Sequence, residues 1–148
     1  MVAVIKTTSS ISNTLHYNEN KLKLKVADLI HSSGFAKDTE NLSFNDKIKH
    51  LQKLAQLNDR TRLNSVHISL NFDPSEKIPV ETLREIADTY MERIGFGNQP
   101  YLVYQHHDSG HPHIHIVSTN IQRDGRRIKM QNIGRNQSEK ARREIERI

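Results

Sequence analysis

The chain has 148 residues, 34% of them apolar in type, with no cysteine, no tryptophan and a formal net charge of +5. That length suits one domain with a real core; the absence of cysteine excludes disulfides and thiolate ligands, so any metal must sit on histidine or oxygen, in an intracellular setting. The N-terminus lacks the basic segment of a secretory signal, and no apolar run approaches the roughly twenty residues of a membrane span, so no membrane insertion is expected.

Val2 to Lys6, with its β-branched residues, predicts a first strand. Thr7 to Asn13 suits a loop and a helix start, and Tyr17 follows among polar neighbours, which predicts an exposed tyrosine. Between Lys25 and Ser33 the apolar residues Val26, Leu29 and Ile30 recur at helical spacing, with Gly34 as a stop. A second helix follows: Ser43 and Asp46 resemble a capping box, and Phe44, Ile48, Leu51, Leu54 and Ala55 form its apolar stripe.

Asn58 to Asn64 is a charged connector, and Ser65 to Phe72 then alternates, with Val66, Ile68, Leu70 and Phe72 on one face and His67, Ser69 and Asn71 on a wet one. After the turn at Asp73, Pro74 and Ser75, Pro79 opens a helix through Val80, Leu83, Ile86, Tyr90 and Ile94 to Gly95. A hairpin spans about Tyr101 to Ile121, and Asp124-Gly125 marks another tight turn into a short strand at Arg127 to Met130. From Ser138 the pattern is helical and stops at Ile148 in mid-pattern, as expected for the N-terminal catalytic domain, residues 1–148, of a longer protein. The order predicts an α+β fold, an antiparallel β-sheet with helices packed on one face and histidines on the other.

Those histidines carry the chemistry. Five of the nine in the chain, His106, His107, His111, His113 and His115, lie between Gln105 and Asn120. In a strand His113 and His115 share a face while Ile114 and Ile116 share the other. A two-residue turn at Ser109-Gly110 would pair 108 with 111 and 107 with 112, setting His106 opposite His113. His106, His113 and His115 then converge, three neutral imidazoles with open positions for water or substrate oxygens, whereas His107 points to the opposite face.

The charge is uneven. Residues 1–121 hold 13 Lys/Arg and 13 Asp/Glu, and residues 122–148 hold 9 against 4, so the whole excess lies in the last segment. A basic flank beside a metal face points to a polyanion, most simply nucleic acid, although a solvated charged helix gives the same composition. A divalent ion that polarises a phosphoryl oxygen joins the two features as phosphodiester chemistry. The nucleophile is then a metal-bound water or a side chain; without cysteine, tyrosine is the side chain to consider, and Tyr17 has the best context.

The string His106-x-Asp108-x-x-His111-Pro112-His113-x-His115, running on to Asn120, resembles the histidine motif of relaxases, DNA strand transferases of plasmid mobilisation and conjugation within the HUH endonuclease class. The stretch from Leu15 to Lys21 is similar to the setting of the catalytic tyrosine in the mobilisation-protein branch, and the likeness extends over nearly the whole chain, including Ile68 to Phe72 and Gly134-Arg135. The resemblance implies that Tyr17 attacks a phosphate at the nic site of an origin of transfer, forming a 5′-phosphotyrosine and releasing a 3′-hydroxyl. It implies that His106, His113 and His115 hold Mg²⁺ or Mn²⁺, that Asp108 orients a ligand histidine, a position that turn-forming preference explains equally well, and that Arg123, Arg126 and Arg127 contact backbone phosphates near the active face.

Single-stranded DNA, accessory mobilisation proteins and a secretion or coupling apparatus are the implied partners, in the bacterial cytoplasm. Tyr101 and Tyr104 are candidates for base stacking, with core packing the favoured role. Other readings stay open: a metal-dependent single-strand nuclease using water, with Tyr17 incidental, or a nucleic-acid-binding accessory module with a structural metal site. A zinc hydrolase of small molecules would leave the basic segment unexplained.

Overall fold

Five strands form one antiparallel sheet in the order β1-β3-β5-β4-β2 in a computed structural model that describes residues 1–131 and 133–146. They are β1 (Val2–Thr8), β2 (Ala27–Ser33), β3 (Ser65–Asn71), β4 (Tyr101–His106) and β5 (His113–Thr119). Four helices among the described residues complete the α+β fold: α1 (Ile11–Lys23), α2 (Phe44–Ala55), α3 (Val80–Arg93) and α4 (Glu139–Glu146), the last preceded by a π-helical turn at Gly134–Ser138. The predicted helical end at Ile148 lies outside the described residues.

The alternation read from the sequence sorts the core into two layers. Val66, Ile68, Leu70, Val103, Ile114 and Ile116 face α3 and α4, which contribute Leu83, Ala87, Tyr90, Met91, Ala141 and Ile145. A fully buried aliphatic of this kind stabilises by roughly 1.5–3 kcal/mol. The opposite face carries the histidines at one end, and over β4 and the far half of β5 it is covered: Ile11 and Leu15 of α1 and Leu51 and Ala55 of α2 pack on Leu102, Tyr104 and Val117.

Local signals explain where the helices begin. Ser43 accepts from Asp46 N while Asp46 accepts from Ser43 N, the expected capping box of α2. Ser10 caps α1 by accepting from Asn13 N at 3.0 Å. The buried stripe of α1 is Ile11, Thr14, Leu15 and Asn18, half of it polar, so apolar periodicity shows only its start.

Beneath α1 a buried network ties it to the sheet and to α2. Lys47 Nζ donates to both Glu19 carboxylate oxygens at 3.0 Å, and the Tyr104 hydroxyl donates to Glu19 Oε2 at 2.6 Å. Burial beside a carboxylate holds the Tyr104 phenol far above its ordinary range.

Three predicted elements are corrected. The helix expected over Lys25–Ser33 is the edge strand β2, whose ladder with β4 shifts between Leu29 and His31. Leu29 packs with the α1/α2 layer and Ile30 with the α3 layer, so a strand covered on both faces mimics helical spacing. The strand expected at Arg127–Met130 is a single bridge between Ile121 and Arg127, followed by Ile128 N donating to the Asn120 carbonyl at 2.7 Å.

The two-residue turn at Ser109-Gly110 is instead a six-residue loop, 107–112, although His106 does pair with His113. The ladder stops there because the two arms diverge: His107 N donates to Val26 O at 2.7 Å, while Phe72 N donates to Pro112 O at 2.9 Å.

Candidate active site

The register brings His106, at the end of β4, directly across from His113, with His115 one step along the same face of β5. One ring nitrogen from each lies within 4.8 Å of the other two. The His106 and His115 rings are stacked at 3.9 Å between centroids, and His113 stands 5.4 Å and 5.0 Å from them.

Neighbouring groups orient each ring. His113 Nδ1 lies 3.2 Å from the His111 carbonyl and 3.0 Å from Ser109 Oγ, so an Nδ1–H donated there leaves Nε2 as the ligand atom. His106 Nε2 lies 2.8 Å from Asn18 Oδ1, which leaves Nδ1. His115 Nδ1 lies 2.9 Å from His67 Nε2, which in turn faces Asn18 Nδ2 at 3.4 Å.

Burial and charge repulsion push the pKa of His106, His115 and His67 down. Burial, then His113, lowers the His106 pKa to about 4; burial, then His106 and His67, lowers that of His115 to about 2. His67 is pushed down to about 4 by burial and then Lys6. Three imidazoles whose nitrogens converge within 4.8 Å fit a divalent cation with positions left for water or substrate oxygens.

These lowered pKa values make the stability of the metal-free fold depend on pH. The unfolded chain protonates its histidines near 6.5, whereas the folded site resists protonation, so below about 6.5 the unfolded state binds more protons. In metal-free protein the Tm is expected to fall as pH drops from about 6.5 towards 4, and the fall should shrink in a His106→Gln variant. Differential scanning fluorimetry across that window checks it.

Tyr17, on α1, stands over this cluster and is 48% exposed. Its ring centroid lies 6.0 Å from His67, 6.1 Å from His106 and 6.3 Å from His115. Lys21, one helical turn along, holds its ammonium 5.6 Å from the Tyr17 ring centroid. Asp108 contacts Lys21 Nζ by a hydrogen-bonded ion pair rather than any ligand histidine. That bond raises the Lys21 pKa and lowers that of Asp108.

Three residues here, Asn18, Lys21 and His67, have no role that the sequence alone assigns. The only signal for His67 was its place on the wet face of β3; its meaning depended on the β3–β5 register, where Ser69 pairs with His115. Asn18 joins His106 across 88 residues, a contact no local pattern encodes.

Other candidates lie elsewhere. Exposed Arg123, Arg126 and Arg127 lie in the turn that follows Thr119, at the end of β5 opposite the one where His113 pairs with His106. His107 pairs with Asp28 at 2.9 Å on the surface. Tyr101 and Tyr104 are buried, their hydroxyls on Asp88 and Glu19, and cannot stack on a base. At the end of the motif Asn120 Nδ2 donates to Leu63 O at 2.9 Å, a structural tie.

A family model described as "Relaxase: MobA/VirD2-like, nuclease domain" matches residues 17–148. No curated protein matches the chain.

Proposed function

Because the chain belongs to the MobA/VirD2-like relaxase nuclease family, whose members nick DNA in mobilisation, we propose that it cuts one strand at an origin of transfer through a covalent bond to Tyr17. The observation that carries this reading is the position of the Tyr17 ring, about 6 Å from His106 and His115 although the chain separates them widely.

In the proposed step the Tyr17 oxygen attacks the scissile phosphorus, a 5′-phosphotyrosine bond forms, and the bond to the preceding sugar breaks to leave a 3′-hydroxyl. His106, His113 and His115 would hold Mg²⁺ or Mn²⁺, which when bound polarises a non-bridging phosphate oxygen. Asn18 orients His106, and His67 orients His115. Lys21, fixed by Asp108, sets a positive charge beside the ring on which phenolate character develops.

The covalently held strand would be the form passed to accessory mobilisation proteins and a coupling apparatus in the bacterial cytoplasm. Arg123, Arg126 and Arg127 would meet backbone phosphates only at a distance from the cut.

The test uses single-stranded origin DNA labelled at its 3′ end, incubated with the protein and Mn²⁺ and run on a denaturing gel. Label migrating with the protein is expected. Label found only in a free fragment bearing a 5′-phosphate would mean that water is the nucleophile, and uncut DNA would favour an accessory binding module.

A further inference from the structure

The histidine face is closed on one side and open on the other. Towards β4 and β2 it is roofed by α1 and α2, with the Lys47–Glu19–Tyr104 network beneath. Towards β3 and β1 it continues into a groove of about 510 Å³ lined by Val4, Lys6, Tyr17, His67, Ser69 and His115. These residues share one face by register: His115 pairs with Ser69, Ser69 with Val4, and His67 with Lys6.

The groove floor has features that the fold does not require. β1 is an edge strand, yet Val4 is 41% and Val2 64% exposed on this face. Among the described residues Lys6 has no ion-pair partner, and Ser69 Oγ accepts from Asn71 Nδ2 at 3.2 Å without donating. An unpaired ammonium, a free hydroxyl hydrogen and an exposed aliphatic patch suit a phosphate joined to a sugar and base. Two strand spacings, about 10 Å, separate β5 from β1, within reach of a neighbouring nucleotide. Val4 and Lys6 also precede the residues 17–148 that the family model matches.

We propose that single-stranded DNA leaves the histidine face over β3 and β1, with Lys6 and the Ser69 hydroxyl binding the phosphate next to the scissile one and Val4 seating its nucleotide. The inference rests on the reading that single-stranded DNA is the substrate, but it requires no cleavage.

The experiment is fluorescence anisotropy with fluorescein-labelled single-stranded dT20 at several salt concentrations, comparing wild type with Lys6→Gln, Val4→Glu and, as a control on the outer surface of α2, Lys53→Glu. Losing one phosphate contact on a single strand lowers the log–log salt slope by about 0.7 and weakens binding about fivefold at 0.1 M salt. That result is expected for Lys6→Gln, with at least as large a loss for Val4→Glu, a wild-type curve for Lys53→Glu and unchanged melting in all three. Wild-type affinity and slope in both groove variants would overturn the track while leaving the nicking reading intact. A wild-type protein that binds no dT20 would likewise overturn the track, while the adduct assay on origin DNA decides the nicking reading separately.

Discussion

Tyr17→Phe is expected to lose the covalent adduct entirely and to cut origin DNA roughly a thousandfold or more slowly than wild type, while binding it with little change. The substitution removes one oxygen from a half-exposed ring, so packing is preserved and the loss falls on the rate of cleavage rather than on affinity. Single-turnover cleavage and anisotropy on the same oligonucleotide separate the two quantities. Wild-type cleavage by Tyr17→Phe would eliminate the tyrosyl mechanism and leave the histidine face as a water-activating site. Lys21→Gln provides the companion measurement: with the ammonium beside the ring gone, cleavage should slow by about tenfold to a hundredfold at unchanged melting temperature.

Metal removal has an effect of similar size. With EDTA, cleavage should stop while the far-ultraviolet circular dichroism persists, because the histidine face lies over a hydrogen-bonded sheet whose core does not depend on an ion. His113→Ala should lower Mn²⁺ affinity by at least about a hundredfold, beyond the tenfold to hundredfold typical of losing an outer partner. Asn18→Ala, which removes the group facing His106 Nε2, should fall within that smaller range. Isothermal titration with Mn²⁺ ranks the three proteins. Unfolding on chelation would instead identify a structural metal site.

Much of the site could be read from the sequence because its parts are local. His113 and His115 declare a shared face by their spacing, and His106 joins them through one register step across a hairpin. That step held although the turn is longer than the spacing implied, since the ladder depends on the strands and not on the loop. Helix α2 was readable for the same reason, its cap Ser43 standing directly before the twelve-residue helix that carries the stripe. What escaped was either masked by burial on two sides, as with Leu29 and Ile30, or assembled from remote segments. Helix α1 hides its buried stripe behind Thr14 and Asn18, polar residues whose burial makes sense only against Ser65 and His106. His67 gained significance only when β3 was seen beside β5.

The sheet order has a consequence for the life of the newly made chain. β5, the last of these five strands to leave the ribosome, lies in the middle, between β3 and β4. Until it arrives, the earlier strands can form only the ribbons β1–β3 and β2–β4, and an isolated two-stranded ribbon is at best marginally stable. Folding must therefore wait for contacts between distant parts of the chain, which makes it slow and nearly all-or-none. Because β5 also brings His113 and His115, the event that completes the sheet also completes the cluster, and a partly synthesised chain carries Tyr17 without the histidines it stands over.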